Sequence, residues 1–176
     1  LELVHSDLAG PVTPTAKHGH KYGMTFVDDY SGAIFVYCLK SKSDAPEALE
    51  LFLADVAQYG KVNALRSDNG TEYTSSAFKE ILRKNRIKHE TSAPYSPHQN
   101  GKAERSWRSL FEMARCMIAE AKLPKSVWNH ALLHAAYIRN CCYAHKIHDM
   151  PYARFLGKKP YLPPLHMFGS PCYTYN

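Results

Sequence analysis

The sequence predicts an α/β fold in which a mixed, five-stranded sheet is flanked by helices. Two observations carry this prediction. Residues 3–37 hold three runs of alternating or β-branched side chains and no helical stripe, which indicates antiparallel strands at the start of the chain. From residue 44 onward, helical and strand patterns alternate, which is typical of strands joined by helices that pack on the sheet. The length of 176 residues is near that of one globular domain.

Five segments have the side-chain pattern of a strand. They are residues 3–8, 25–27, 33–37, 62–67 and 87–91. Four other segments repeat apolar residues at helical spacing, namely residues 44–60, 76–85, 103–121 and 127–138. Asp44 with Glu47 fits a capping box at the start of the first helix, and Gly60 fits its end. The apolar stripes of the last two helices predict that both pack on the core.

Two segments lack a regular pattern. Residues 92–101 contain two prolines and a glycine, which predicts a loop leading into the long helix. Residues 144–176 hold five of the eleven prolines and predict an irregular extension on the surface. The predicted organisation is therefore a core over residues 1–143 followed by this extension. Because the chain begins without Met and directly in strand-like sequence, we expect it to be a segment of a longer polypeptide.

The composition narrows the classes of partner. No apolar run approaches the roughly 18 residues of a membrane span, and the start lacks the pattern of a signal peptide, so no membrane association is expected. Lys and Arg number 22 against 16 Asp and Glu, a net charge of +6. This excess favours nucleic acid as a partner, although it also fits ordinary solubility. The five cysteines include no CxxC pair, which argues against a disulfide framework or a zinc knuckle.

Three acids stand at the ends of predicted elements: Asp7 in the first strand, Asp68 after the fourth, and Glu104 at the start of the long helix. Adjacent strand ends and a helix packed across them can bring such carboxylates together, where they repel unless a cation lies between them. Oxygen ligands suit magnesium or manganese, and two such ions can promote displacement at a phosphodiester. Two alternatives remain open: turn capping by the aspartates and an ordinary i,i+4 surface pair of Glu104 with Arg108.

Three separated motifs resemble the catalytic core of retroelement integrases, and most closely the copia-type retrotransposon integrases. The motifs are HSDLAGP at residues 5–11, SDNGTEY at 67–73 and SPHQNGKAER at 96–105, with 35 residues between Asp68 and Glu104. Landmarks further along the chain resemble the same group, namely Leu123-Pro124, Trp128, AAYIRN at 135–140, GKKP at 157–160 and FGS at 168–170. The resemblance therefore covers nearly the whole chain.

The resemblance implies a ribonuclease-H-like fold and the chemistry of the DDE enzymes. Asp7, Asp68 and Glu104 would hold two Mg2+ ions, for which Mn2+ can substitute, and Asp7 would bridge the two. Water would attack near the end of the element's DNA to expose a 3′-hydroxyl, which would then attack a target phosphodiester without a covalent enzyme intermediate. Asn69 and Gly70 would form the turn that aims Asp68.

Candidate DNA contacts lie in the predicted loop and along the start of the long helix. The polar loop side chains can bind phosphate or bases, and a Tyr ring can stack on an unpaired base; these residues are Tyr95, His98, Gln99 and Asn100. Lys102, Arg105 and Arg108 would follow the phosphate backbone. A solvated loop and a solvated helix face are the alternatives. Lys102 departs from the family pattern, because a small apolar residue is usual there.

The resemblance also implies partners and a cellular location. Double-stranded DNA, both element ends and target, would be the substrate, and joining two ends calls for a homo-oligomer. A zinc-binding domain before this core and a basic domain after it are expected in the parent polyprotein. The location implied is a virus-like particle in the cytoplasm, then the nucleus. Two other functions stay open: a catalytically silent or domesticated integrase-like domain that binds nucleic acid, and a ribonuclease that cuts RNA in hybrids.

Overall fold

Five strands form one mixed sheet in a computed structural model that describes residues 1–91, 101–159 and 166–172. The strands are β1 (Leu3–Ala9), β2 (Tyr22–Asp28), β3 (Ile34–Leu39), β4 (Ala64–Ser67) and β5 (Lys88–Thr91). Their order across the sheet is β3-β2-β1-β4-β5. The β1–β2 and β2–β3 pairs are antiparallel, whereas the β1–β4 and β4–β5 pairs are parallel. The predicted mixed sheet is thus confirmed.

Helices cover both faces of this sheet. They are α1 (Ala45–Val56), α2 (Thr71–Thr74), α3 (Ser76–Lys84), α4 (Gly101–Glu120), α5 (Trp128–Cys141) and α6 (Pro151–Leu156). Successive strand residues point to opposite faces, so Phe26 packs in the core under α1 and α3 while Val27 packs in the core under α4 and α5. Phe26 stacks on Phe52 of α1 with ring centroids 4.3 Å apart. None of the helices in the described ranges is long and apolar enough to cross a bilayer.

One glycine allows α4 to lie close to the sheet. Trp107 is 5% exposed and packs in the core beneath α4. A Cβ atom placed on Gly23 of β2 would lie 2.6 Å from Cη2 of the indole, a distance at which atoms clash. The close contact between Trp107 and Gly23 therefore requires a residue without a side chain, and it sets the height of the helix that carries Glu104.

A buried amide fixes α5 against the edge strand β3. The side chain of Asn140 accepts a hydrogen bond from the N–H of Ile34 and donates one to the carbonyl of the same residue, each 2.8 Å long. Asn140 is fully buried. Because β3 is at the edge of the sheet, this amide takes the place of a neighbouring strand for one residue.

The structure corrects three details of the sequence prediction. The capping box uses Ser41 and Asp44 before a short 3-10 turn, not Asp44 and Glu47. The four-residue helix α2 is too short for periodicity to reveal. The segment after residue 143, predicted to be irregular, contains α6, which starts at Pro151 and packs its Phe155 ring 5.4 Å from that of Phe35. Contact with the core, rather than local pattern, accounts for this helix.

Candidate active site

The three predicted acids lie toward one end of the sheet. In the parallel β1–β4 ladder, His5 is opposite Arg66. The same register continued by two residues sets Asp7 beside Asp68, which directly follows β4. Glu104 is in the first turn of α4, and this helix packs on β1 and β2. Strand pairing and helix packing together bring the acids to the same region of the fold.

The electrostatics of Asp7 show that these carboxylates influence one another. The pKa of Asp7 is raised to about 7, mainly by burial and in addition by the charges of Asp68, Glu104 and Glu72, while a hydrogen bond from the N–H of Leu8 lowers it. That bond to Asp7 Oδ1 is 3.0 Å long. A half-buried acid surrounded by like charges holds a proton more tightly than it would in water. The site is therefore short of positive charge.

The donor chemistry fits a hard divalent cation. Asp7, Asp68 and Glu104 offer only carboxylate oxygens, which Mg2+ prefers over nitrogen or sulfur. A cation would offset the burial and the neighbouring like charges that together raise the pKa of Asp7. The side chains of Asp68 and Glu104 are exposed. Across residues 1–91, 101–159 and 166–172, no three His, Cys, Asp or Glu side chains are gathered closely enough to hold an ion. The chemistry of the donors fits, but their positions do not form a closed cluster.

The turn after β4 holds Asp68 and also brings in Glu72, which the sequence analysis did not single out. The N–H of Gly70 donates to Asp68 Oδ1 at 3.0 Å. A Cβ on Gly70 would lie 2.7 Å from the carboxyl carbon of Glu72. Glu72 is 9% exposed, with Lys42 Nζ 3.6 Å from its Oε1. Glu72 lies in the SDNGTEY motif, as Asn69 does, and this was the signal in the sequence that could have pointed to it.

Buried hydroxyl groups hold the two strand ends in place. Ser6 Oγ and Tyr73 Oη form a 3.0 Å hydrogen bond between β1 and α2. Ser67 Oγ donates to the carbonyl of Asp68 at 2.8 Å and lies 3.0 Å from Nε2 of His89 on β5. Residues directly before both aspartates are thus fixed by contacts to neighbouring elements, which restricts where the carboxylates can point.

Lys102 belongs to a three-residue network that the sequence analysis missed. Asp29 Oδ1 lies 2.9 Å from His5 Nε2 and 2.9 Å from Lys102 Nζ. Burial alone would raise the pKa of Asp29, but the hydrogen bonds from Lys102 and His5 lower it overall. The network joins β1, the β2–β3 turn and the first turn of α4. The departure of Lys102 from the family pattern was the one signal in the sequence.

The predicted DNA contacts divide into two groups. Tyr95, His98, Gln99 and Asn100 lie outside the described residues. Arg105 and Arg108 are exposed on α4, whereas the half-buried Lys102 is engaged by Asp29. In the described part of the chain, Glu104 and Arg108 form no ion pair. Both side chains are therefore open to an external ligand.

The sheet order and the covering helices define a ribonuclease-H-like fold. The structure is similar to the HTLV-2 integrase catalytic core domain in complex with magnesium, trimeric form, with a TM-score of 0.68, 21% identity and coverage of 88% of this chain and 95% of that chain. It is also similar to a chain of the simian T-cell lymphotropic virus intasome in complex with PP2A regulatory subunit B56 gamma. That match has a TM-score of 0.73 and 22% identity, and covers 99% of this chain and 60% of the other.

The sequence comparisons supply the family. The family model described as integrase core domain matches residues 1–97, more than half of the chain, and the chain belongs to this family. It is 43% identical over 142 residues to the Pol polyprotein of transposon TNT 1-94 from Nicotiana tabacum, covering 80% of this chain and 11% of that protein. It is 30% identical over 179 residues to the Pol polyprotein of transposon RE1 from Arabidopsis thaliana, and this match covers 99% of this chain and 12% of that protein. The chain thus spans about a tenth of the length of these curated relatives, and the predicted retroelement integrase core is confirmed.

Proposed function

We propose that this chain catalyses metal-dependent DNA integration, through 3′-end processing of the element's DNA followed by strand transfer into target DNA. The observation that carries the proposal is the arrangement of three acids toward one end of the sheet: the β1–β4 register sets Asp7 beside Asp68, and α4, with Glu104 in its first turn, packs on β1. The pKa of Asp7, raised by burial and by the nearby charges of Asp68, Glu104 and Glu72, supports it. In a member of the integrase core family, acids held in mutual repulsion are suited to a cationic cofactor.

Asp7, Asp68 and Glu104 would hold two Mg2+ ions, with Mn2+ as a substitute. Ions bound by carboxylates activate an attacking oxygen and stabilise a leaving oxygen in phosphodiester displacement. To serve as a ligand, Asp7 must give up the proton that its surroundings favour. Ser6 and Tyr73 hold the backbone before Asp7 in place, and Gly70 orients the Asp68 carboxylate. Asn69 with Gly70 is the turn that supports this orientation.

Two displacements at phosphorus make up the reaction. In the first, water attacks a phosphodiester near the end of the element's DNA, and the bond to the departing nucleotide breaks to leave a 3′-hydroxyl. In the second, that hydroxyl attacks a target phosphodiester and releases a new 3′-hydroxyl on the target. Each step exchanges one P–O bond for another, so no redox partner or covalent enzyme intermediate is needed.

The proposed partner is double-stranded DNA. A homo-oligomer of this chain would bind it, as part of a larger polyprotein product. Exposed Arg105 and Arg108 on α4 support phosphate contacts, and the loop residues Tyr95, His98, Gln99 and Asn100 remain proposed contacts. The similar HTLV-2 core is described in trimeric and dimeric forms, which supports oligomerisation. Zinc-binding and basic flanking domains, and a location in a virus-like particle and then the nucleus, are proposed from the relationship to retrotransposon Pol polyproteins.

The test is a strand-transfer and disintegration assay on labelled DNA with Mg2+, Mn2+ or chelator. Glu104→Gln removes one charge from the proposed site, and Glu112→Gln removes one from an exposed position further along α4. We expect Glu104→Gln to lose at least about 100-fold in rate while it keeps fold and DNA binding, and Glu112→Gln to stay near wild type. Metal-dependent activity retained by Glu104→Gln would refute the assignment. Metal-dependent cleavage seen only with RNA–DNA hybrids would favour the ribonuclease alternative. A wild-type chain that is folded but shows no strand transfer in its full polyprotein context would favour the catalytically silent binding domain.

A further inference from the structure

A basic cavity lies beside α4, away from the proposed catalytic acids. Its volume is about 540 Å3, and its walls come from the β2–β3 turn, one side of α4, the end of α5 and the chain around α6. We name it the Arg139 cavity after the arginine at the end of α5. Five cationic side chains and one carboxylate line it, namely Lys102, Arg105, Arg139, Lys146 and Arg154 with Asp29.

The single carboxylate does not neutralise this charge. Asp29 is occupied by Lys102 and His5 at 2.9 Å each. Among the described residues, the side chains of Arg105, Arg139 and Lys146 form no hydrogen bond or ion pair. Three cations that face one cavity without partners repel each other and attract an anion with several oxygens.

The wall formed by the α6 segment is held in place by a fourth cation. Arg154 lies over the ring of Tyr30, with its guanidinium carbon 4.1 Å from the ring centroid. Its Nη1 also donates to the carbonyl of Ile147 at 2.9 Å. These contacts join the segment after α5 to the β2–β3 turn. Arg154 therefore shapes the cavity, while Arg139 and Lys146 are left to meet a ligand.

The cavity and the catalytic acids occupy different sides of α4. Lys102, Arg105 and Ser106 follow the spacing of one helical stripe, and all line the cavity. Glu104 is two residues from Lys102, which places it roughly 200° around the helix, and it does not line the cavity. A ligand in the cavity would thus be separated from the acids by about the width of a helix, roughly 10 Å.

We propose that the Arg139 cavity binds the phosphodiester backbone of DNA, as a second contact beside the strand that meets the acids. The inference rests on the proposed function for the identity of the ligand as DNA. Phosphate oxygens match the bidentate donors of arginine, and contacts of this kind add affinity without reading sequence. The DNA comes either from the element's end or from the target, since both present the same backbone.

The test measures DNA binding by fluorescence anisotropy in chelator, so that no catalysis is needed. The variant is Arg139→Gln/Lys146→Gln, and the matched control is Lys61→Gln/Arg83→Gln, which removes one lysine and one arginine from exposed positions outside the cavity. For a labelled duplex we expect the cavity variant to raise Kd about tenfold and to reduce the salt slope by nearly two, because each phosphate contact contributes about 0.9. The control should change Kd less than about twofold.

A second variant guards against misfolding. Lys146 is exposed, so Lys146→Glu should leave the circular dichroism spectrum and Tm unchanged while it weakens binding. Equal Kd values and salt slopes for the cavity variant and the control, or wild-type binding by Lys146→Glu, would overturn the proposal. Failure of the wild-type chain to bind DNA, or binding of polyglutamate in preference to DNA, would overturn it as well.

Two further arms identify the source of the DNA and separate this proposal from the catalytic one. If the cavity variant loses affinity for a linear duplex with element ends but not for closed circular DNA, the cavity binds the element's ends. If it loses affinity only for closed circular DNA, the cavity binds the target. If it loses affinity for both, the cavity binds DNA from either source. Glu104→Gln should bind as tightly as wild type. A wild type that is inactive in its full polyprotein context, but whose affinity falls in the cavity variant, refutes the catalytic proposal alone. An active wild type with unchanged affinity in the cavity variant refutes this one alone.

Discussion

At the scale of single residues, the folded protein favours the protonated form of Asp7, whereas metal binding would require the ionised form. Burial and three neighbouring carboxylates all disfavour its ionised form, so its pKa is about 7 instead of 3.8. Because the pKa in the folded state lies above the unfolded value, the folded protein loses stability as pH rises through this interval. The metal-free protein thus carries an electrostatic cost at the positions that would bind the cofactor.

Replacement of this acid should therefore stabilise the metal-free chain. We expect Asp7→Asn to raise the free energy of unfolding by about 2 kcal/mol at pH 8 in chelator, less than the full shift implies because the side chain is partly solvated. The gain should shrink toward pH 4, where Asp7 is protonated in the folded state. Urea unfolding at both pH values measures it, with exposed Glu50→Gln as the control. A less stable Asp7→Asn at pH 8 would contradict this account.

Sequence predicted the acids but not the residues that hold them. Asp7, Asp68 and Glu104 could be predicted as site residues because each falls at the end of a periodic segment within a recognisable motif, and their role stays a prediction. The network of His5, Asp29 and Lys102 could not, because Lys102 bonds to a residue 73 positions away and the network carries no local pattern. Long-range pairs of this kind become visible only once the sheet register and the position of α4 are known.

At the scale of elements, the strands and long helices were predictable because each buries one face. Period-two and period-3.6 patterns report that burial directly. The helices α2 and α6 were not predicted because they span four and six residues, too few for a pattern to repeat. Asp44 is the N-cap residue of α1, as predicted, but its side chain makes no capping hydrogen bond to that helix. It accepts instead from the N–H of Ser41, in the capping box of the preceding 3-10 turn.

The contact of α4 with β2 makes a sharp prediction. Gly23→Ala places a methyl group 2.6 Å from Cη2 of Trp107, so we expect it to destabilise the fold by about 2 kcal/mol and to lower strand transfer by shifting Glu104. Trp107→Phe removes the clashing atom. The double variant Gly23→Ala/Trp107→Phe should therefore be more stable to urea than the sum of the single changes. If the stability changes of the two single variants simply add in the double variant, the added methyl group is accommodated without moving the Trp107 ring.

The amide that joins α5 to β3 gives a second prediction at this scale. Asn140→Ala leaves the N–H and carbonyl of Ile34 without these partners in a buried position, and we expect a loss of about 2–3 kcal/mol in the free energy of unfolding. Asn63→Ala removes a side-chain amide bonded at an exposed position and should cost less than about 0.5 kcal/mol. Urea titrations compare the two. Similar losses would argue against a special role for the buried amide.

At the scale of the whole molecule, cofactor binding and stability should be linked. Addition of Mg2+ relieves the repulsion around Asp7, so we expect Mg2+ to raise the Tm of the wild-type chain, by about 5–10 °C where its concentration exceeds Kd about 100-fold. Asp7→Asn should show little or no rise, while Glu112→Gln should respond as wild type does. Differential scanning fluorimetry with Mg2+ and with chelator measures the shifts. An equal rise in all three chains would show that the ion binds elsewhere.

The antiparallel half of the sheet pairs strands that are close along the chain, whereas the parallel half pairs strands that are distant. β1, β2 and β3 follow one another within residues 3–39, so a chain emerging from the ribosome can form these pairs with only Asp7 of the three acids present. Asp68 meets Asp7 only through the later parallel pairing, and Glu104 only once α4 has been synthesised. The repulsion between these three acids therefore arises only when distant parts of the chain come together, and the earliest strand pairing is free of it.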